Sequence, residues 1–380
     1  MNKRLNNPIW VMSSAYDNLD LDQLIDKTVT LGAQGIDLCV FSKDGARQDH
    51  TATHLDYENF TPDRAKELID KFNAANIKLS LGAYENMIGG EEKQKVINQN
   101  HLLKLVRIAH FLGGDENDVK VGTFVGYNHD LGNQENGFQK NLDEYKRVFE
   151  PIVKYAEDLG VTILYENCPM EGWRSAGYTS TFNNLPGVLA ARKLMYALIP
   201  SKAHGEIYDP SHDVWQNTDP VEVIRQSDMD RIHRIHVKTT RNLKSEARTQ
   251  WGGMYPMQQV EKALAEKAGV HIPAHEWDRH HYEAMLPGFG GTDHVDWTAF
   301  VEILHEKGFD GPFEIENEAL NSKNTGIEAA IDQGYKASIQ FLSPLLWNLD
   351  ETKGYVYEAA ESLKQVDVKD IPEVTIDQLL

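Results

Sequence analysis

Four short stretches of this 380-residue sequence each close on side chains that hold cations or move protons. They read Ile163-Leu164-Tyr165-Glu166-Asn167-Cys168-Pro169, Ile207-Tyr208-Asp209-Pro210-Ser211-His212, Arg234-Ile235-His236-Val237-Lys238 and Phe313-Glu314-Ile315-Glu316-Asn317-Glu318. In order they offer a carboxylate, a carboxylate with an imidazole, an imidazole, and a carboxylate. Brought together, those donors make a mixed oxygen and nitrogen site for one divalent ion. Mn²⁺, Mg²⁺, Co²⁺ and Zn²⁺ all suit it, and affinity order alone does not choose among them. Taken singly, each residue reads as a solvated side chain at the end of an apolar run. Four in succession, each closing such a run, argue for a site.

For those ends to meet, the runs must be neighbours in one sheet. The chain carries eight short apolar or β-branched runs: Pro8–Ser13, Gly35–Phe41, Lys78–Tyr84, Val119–Val125, Val161–Glu166, Gly205–Asp209, Ile232–Lys238 and Pro312–Glu316. Each is followed by an amphipathic stretch. Thr61-Pro62-Asp63 caps a helix through Asn76, with proline at the first helical position, and Asp296-Trp297 opens one over Thr298–Lys307. Gly32, Gly160 and Gly308 stand where helices stop and strands begin. Eight strand–helix units predict a parallel sheet with right-handed crossovers, closed as an α/β (β/α)8 TIM barrel. An open doubly wound sheet would place a glycine-rich turn after its first strand, and Ser14-Ala15-Tyr16-Asp17 holds no glycine. In a barrel the active site stands at the C-terminal ends of the strands, where the four motifs fall.

The rhythm predicts one barrel domain over residues 1–343, interrupted between its seventh and eighth strands by an insertion at about 241–295. That insertion holds His271, His275, His280 and His281 and a helix-like Met257–Lys267. Without a cysteine or a third fixed ligand nearby, its histidines read as lid or surface residues. Residues 344–380 form a C-terminal extension, whose Glu351–Val366 portion is expected to be an extra helix serving an oligomer contact or covering the barrel bottom.

Lys and Arg number 38 against 58 Asp and Glu, a net charge of −20, which is a poor surface for phosphate backbones. Hydrophobic residues at 41% are enough for a sizeable core. Two cysteines, Cys39 and Cys168, build no disulfide framework, so a reducing cytoplasm is the expected compartment. No apolar run approaches the roughly 18 residues that span a bilayer.

The Tyr-Glu-Asn end of the fifth run, Asp209-x-x-His212, Ile235-His236-Val237-Lys238 and the run closing on Glu316 together resemble the xylose-isomerase-like superfamily of TIM barrels. This is the branch of sugar phosphate isomerases, ketose 3-epimerases and family 2 AP endonucleases. Pro287-Gly288 followed by Asp296-Trp297 resembles a further segment of that group, and the likeness covers roughly Pro8 to Phe341. It implies Glu166, Asp209, His236 and Glu316 as metal ligands, His212 as a substrate-orienting or additional metal-side histidine, and Arg241 as a substrate-binding arginine. It also implies a small carbohydrate substrate and a homo-oligomer. Glu166 and Glu316 would then flank the sugar, one removing the proton next to a carbonyl and the other returning one through an enediolate.

Other residues around the mouth read as follows. Lys238 shares the parity of His236 and would hold a substrate oxygen or balance the carboxylates. Glu85, past the third run, would line the pocket or face solvent. Glu318 has the parity of Glu316. Trp10 and Phe124 read as core or as walls for stacking a sugar, and His233 as a residue of the other face. Two further chemistries remain open. A lyase, dehydratase or keto-glycoside-cleaving enzyme would use the same enolate and expel a leaving group. A metal-dependent endonuclease would need histidines from the second and third strands, which here end Phe41-Ser42-Lys43 and Tyr84-Glu85-Asn86. A barrel that had lost catalysis would be expected to lack a ligand, and all four are present.

Overall fold

The computed structural model describes residues 4–45, 53–170, 183–242, 249–250, 261–270, 282–290, 294–359 and 361–380. His271, His275, His280 and His281 lie outside them, as do residues 257–260 of Met257–Lys267.

Eight parallel strands close into a barrel: β1 (Ile9–Met12), β2 (Gly35–Cys39), β3 (Lys78–Gly82), β4 (Val121–Thr123), β5 (Ile163–Glu166), β6 (His204–Tyr208), β7 (Ile232–Val237) and β10 (Phe313–Ile315). Around the barrel they follow in chain order, with β10 sealing the gap between β7 and β1. Seven of the eight runs read from the sequence contain one of these strands whole, and the sixth, Gly205–Asp209, leaves out only His204 of β6. The fold is a (β/α)8 barrel. Among the described residues no helix is long and apolar enough to cross a membrane.

The helices start and stop where local chemistry predicts. The first, α1 (Leu21–Leu31), opens with a capping box between Asp20 and Gln23 and ends at Gly32 with φ 84°. Thr61 caps α2 (Pro62–Ala75), which ends on Asn76 in the left-handed region. Next come α3 (Glu92–Phe111), the short α4 (His129–Gly132), α5 (Gly137–Asp158), α6 (Leu189–Leu198), α7 (Pro210–Trp215) and α8 (Pro220–Gln226). Between β7 and β10 an antiparallel hairpin of β8 (Thr239–Asn242) and β9 (Tyr282–Met285) is followed by α10 (Trp297–Glu306), capped by Asp296. The described part of the helix-like stretch in that insertion is α9 (Lys262–Ala268). The last barrel helix, α11 (Glu328–Leu346), carries Pro344 within it, so the helical ring runs a turn past residue 343.

The extension departs from expectation. The described residues of Glu351–Val366 form no helix; β11 (Asn348–Asp350) and β12 (Gly354–Val356) make a hairpin, and the described chain beyond carries no further strand or helix before Ile376. Asp350 Oδ1 accepts from the amides of Thr352 and Lys353 to shape the turn. Farther on, Leu363 N donates to Asn73 Oδ1 and Lys364 N to Asn117 Oδ1, so these asparagines take amides a helix would have used. The tail then passes Arg107, which donates to Ile371 O at 2.7 Å, and ends in α12 (Ile376–Leu379) against α3 and α5.

One register row matters for the site. Gly35 pairs with Trp10, Trp10 with Glu314, and Glu314 with His236, across β2, β1, β10 and β7. Register partners in a parallel sheet share a face, so these four turn to the same side. Gly35 is required there, because a Cβ would come within 2.4 Å of the Trp10 indole. The barrel interior is divided. Met12, Cys39, Phe41, Tyr84, Phe124, Leu164 and Ile207 form an apolar wall, while the ionisable side chains come mainly from β5, β6, β7 and β10.

Candidate active site

Glu166 is the last residue of β5, and the asparagines around it fix the strand end. Asn167 Nδ2 donates to Asp209 O at 3.0 Å while Asp209 N donates back to Asn167 Oδ1 at 2.7 Å. This reciprocal pair locks the ends of β5 and β6 side by side. Asn184 Nδ2 donates to the carbonyls of Glu166 and Cys168, holding the next turn. Asp209 caps α7, with Oδ1 accepting from Ser211 N at 2.8 Å. Its Oδ2 is thereby left facing His212 Nε2 at 3.2 Å and Lys238 Nζ at 3.3 Å. The Asp-x-x-His spacing brings the histidine, inside the first turn of α7, back over its own cap.

Around Glu166 Oε1 the other donors converge: His236 Nδ1 at 3.2 Å and His212 Nε2 at 3.4 Å. His236 Nδ1 also lies 3.3 Å from Glu316 Oε2. Two triads result, Glu166–His236–Glu316 and Glu166–Asp209–His212, each with one donor atom per residue all within 4.8 Å of one another. Glu166 belongs to both. Lys238 Nζ reaches into the same space, 2.7 Å from Glu316 Oε2 and 3.0 Å from Glu318 Oε2.

All of these groups but the half-buried Glu318 are buried, and their charges set one another. Burial alone would raise Glu166 and Glu316, but His236 beside the first and Lys238 beside the second outweigh it. Glu166 is held below the usual carboxylate range and Glu316 falls to about 2. Burial would depress Lys238 and His236. Glu316, ahead of Glu318 and Asp209, keeps the ammonium well above its ordinary value, and Glu166 does the same for the imidazole. Asp209 moves the other way, raised by burial in spite of His212 and Lys238.

The structure therefore brings Glu166, Asp209, His212, His236, Lys238 and Glu316 to one place. It does not bring the remaining candidates there. Trp10 is 1% exposed, and its ring carries the Arg234 guanidinium at 4.6 Å. Packed between that cation and Gly35, it is part of the floor and offers no face for a sugar. Arg241 forms an ion pair with Glu283, its register partner in the β8–β9 hairpin. Glu85 is packed against the loop after β2, where a Cβ on Gly45 would come within 2.5 Å of its Oε1. His233 packs against Gly205 beside a register shift between β6 and β7.

Sequence reasoning passed over the layer below. Asp37, Arg234 and Glu314 are buried there, with Arg234 Nη1 3.5 Å from Glu314 Oε2 and 3.7 Å from Asp37 Oδ1. The signal was parity: Arg234 and Glu314 precede His236 and Glu316 by two residues, so they face the same way.

The sequence model of the xylose isomerase-like TIM barrels matches residues 25–345. The chain belongs to that family. No curated protein matches it in sequence. Solved structures of similar fold include a D-tagatose 3-epimerase-like protein, 18% identical with a TM-score of 0.57, covering 89% of this chain and 98% of the other. The probable 3-DHS dehydratase AsbF of Bacillus anthracis is 15% identical with a TM-score of 0.56, covering 88% and 98%. D-psicose 3-epimerase of Clostridium cellulolyticum H10, solved with D-tagatose, is 12% identical with a TM-score of 0.54, covering 89% and 99%. At these identities the likeness to this xylose isomerase-like barrel is one of fold.

Proposed function

We propose that the protein is a divalent-metal-dependent isomerase or epimerase that moves a proton through an enediolate on a keto or aldo sugar or a derivative of one. The observation that carries this reading is the pair of buried glutamates, Glu166 and Glu316, standing on either side of His236 Nδ1. The donor set fits a divalent ion. Carboxylates of Glu166, Asp209 and Glu316, with the half-buried Glu318 beside them, crowd a space into which, among the described residues, Lys238 brings a lysine cation. Carboxylate crowding of that kind is costly without further positive charge. Asp209 Oδ2 makes charge contacts with His212 and Lys238 but, among the described residues, no hydrogen bond, which suits it to bind a cation.

Glu166, Asp209, His236 and Glu316 would hold the ion, with His212 beside them. When bound it supplies Lewis acidity toward a sugar carbonyl and the neighbouring hydroxyl. The chain does the rest. One of Glu166 and Glu316 takes the proton from the carbon next to the carbonyl. The other returns a proton to the opposite face in epimerisation, or to the adjacent carbon in isomerisation. His212 and Lys238 hold substrate oxygens.

A lyase using the same enolate is the second reading, because the Lys238 ammonium beside Glu316 offers an acid for a departing hydroxyl. A phosphodiesterase is disfavoured on the donors. His54, in the loop after β2, bonds Ser13 Oγ at 2.9 Å and Tyr16 O at 3.0 Å.

The deciding experiment is metal analysis of the purified protein, followed by incubation with ketoses and keto-glycosides in deuterated water. Deuterium at the carbon next to a carbonyl, lost in Glu316→Gln, supports the reading. Elimination products point to the lyase. Activity that survives complete metal removal overturns both.

A further inference from the structure

The layer beneath the cation site has no part in the chemistry above, yet it is costly to build. Glu314 is 0% exposed in the barrel interior, where branched aliphatic residues usually fill the space. We infer that Glu314, held in place by Arg234, keeps the His236 proton on Nε2 and so leaves Nδ1 to face the cation site as a ligand. The inference rests on the metal-dependent reading and names a positioning residue for it.

The geometry is specific. Glu314 and His236 are direct register partners on β10 and β7. Glu314 Oε1 lies 3.3 Å from His236 Nε2, on the edge of the imidazole opposite Nδ1. Nδ1 in turn faces Glu166 Oε1 at 3.2 Å and Glu316 Oε2 at 3.3 Å. A ring nitrogen that keeps its proton cannot bind a cation. Nδ1 is hydrogen-bonded to Glu166, and an ion entering the site would displace that proton, while the Glu314 carboxylate in ion-pair contact with Nε2 favours the remaining proton staying there. With an apolar residue at 314, nothing beside Nε2 would hold the proton there, and the tautomer protonated on Nδ1 would turn its N–H toward the site.

The surroundings keep Glu314 in place. Arg234 Nη1 stands 3.5 Å from its Oε2. The guanidinium is pressed onto Trp10, whose seat depends on the missing side chain at Gly35. Asp37, the other carboxylate near Arg234, touches the Tyr84 hydroxyl at 3.4 Å. It belongs to the same layer, but its hydrogen bonds do not reach His236, so it serves as an internal control.

The test is Co²⁺ titration of the full chain, wild type against Glu314→Gln and Asp37→Asn, with affinity read by chelator competition and geometry by the visible Co²⁺ bands. Glu314→Gln is expected to bind Co²⁺ about 10- to 100-fold more weakly and to change the bands. Asp37→Asn is expected to leave both as in wild type. A second measurement needs no variant to fold: histidine ring ¹⁵N spectra of the Zn²⁺-loaded wild type should place the His236 proton on Nε2. Glu314→Gln binding like wild type overturns the inference and leaves the metal reading standing. So does equal weakening by Asp37→Asn, or a His236 proton found on Nδ1. A wild type that binds neither Co²⁺ nor Zn²⁺ overturns both.

Discussion

Lys238 Nζ lies 2.7 Å from Glu316 Oε2, so one of the two carboxylates proposed to move the proton already holds a cation supplied by the chain. The ammonium reaches Asp209 and Glu318 as well, which makes it both a neutraliser of the empty site and a rival to an incoming ion. Lys238→Met should leave those carboxylates uncompensated and lower the stability of the metal-free protein by about 3–5 kcal/mol. Divalent metal should restore more stability to this variant than to wild type. Thermal melts in chelator and in excess Mn²⁺ measure the gap, and an unchanged gap contradicts the role assigned to Lys238.

Glu166 Oε1 is the atom common to both donor triads, whereas Asp209 belongs to one. Glu166→Gln is therefore expected to weaken metal binding more than Asp209→Asn does. Calorimetric titration of the two variants checks the order, and a reversed order would place the ion nearer His212 than His236.

Gly35→Ala should destabilise the fold by about 1–3 kcal/mol, the usual cost of forcing bulk into a packed interior. The added Cβ would meet the Trp10 ring at 2.4 Å, with Arg234 stacked above it. Urea denaturation followed by tryptophan fluorescence reads both the stability and the displaced indole. Ala at Gly32, with nothing within 4 Å of its Cβ, gives a comparison in which only backbone strain at φ 84° acts.

Acid lability should come from histidines remote from the site. Burial lowers His101 and His204 to about 4, and each gives its Nε2–H to a backbone carbonyl, Val40 O and Ile199 O. Unfolded, both titrate near 6.5. The unfolded chain thus binds protons first on acidification, and stability is full above about pH 6.5 and falls as the pH drops toward 4. Each histidine accounts for about 3 kcal/mol across that window. Denaturant midpoints from pH 7 to 4 test this, and His101→Gln should flatten the slope. A profile equally steep in that variant would locate the lability elsewhere.

Much of the architecture was legible because strand signals are local. Gly35–Phe41 and Lys78–Tyr84 are mainly apolar, and Thr61 with Pro62 marks a helix start in any context. The strand-end donors were legible for a related reason: Glu166 closes an apolar stretch, and His236 stands between Ile235 and Val237. Arg234, Asp37 and Glu314 were not, because a charged residue inside a strand looks the same whether it faces water or a partner three strands away. The extension was misread because Glu351–Val366 has helix-forming composition, while Asn73 and Asn117, hundreds of positions earlier, decide where its amides go. Local preference gave way to distant hydrogen bonds. Arg241 has the right spacing from His236, but spacing along the chain says nothing of Glu283, which β9 delivers from across the hairpin.

The barrel interior is divided into an apolar wall and a charged one, and the two halves are open to change in different degrees. On the charged side each group is tied to two or three others, so a single replacement propagates through the ring and its floor. On the apolar side, Met12, Phe41 and Phe124 carry no charge and pack by shape. A lineage, or an engineer, can recut that wall to admit a different sugar or a bulkier substituent while the proton-moving apparatus stays as it is. New specificities for this scaffold are to be sought there first.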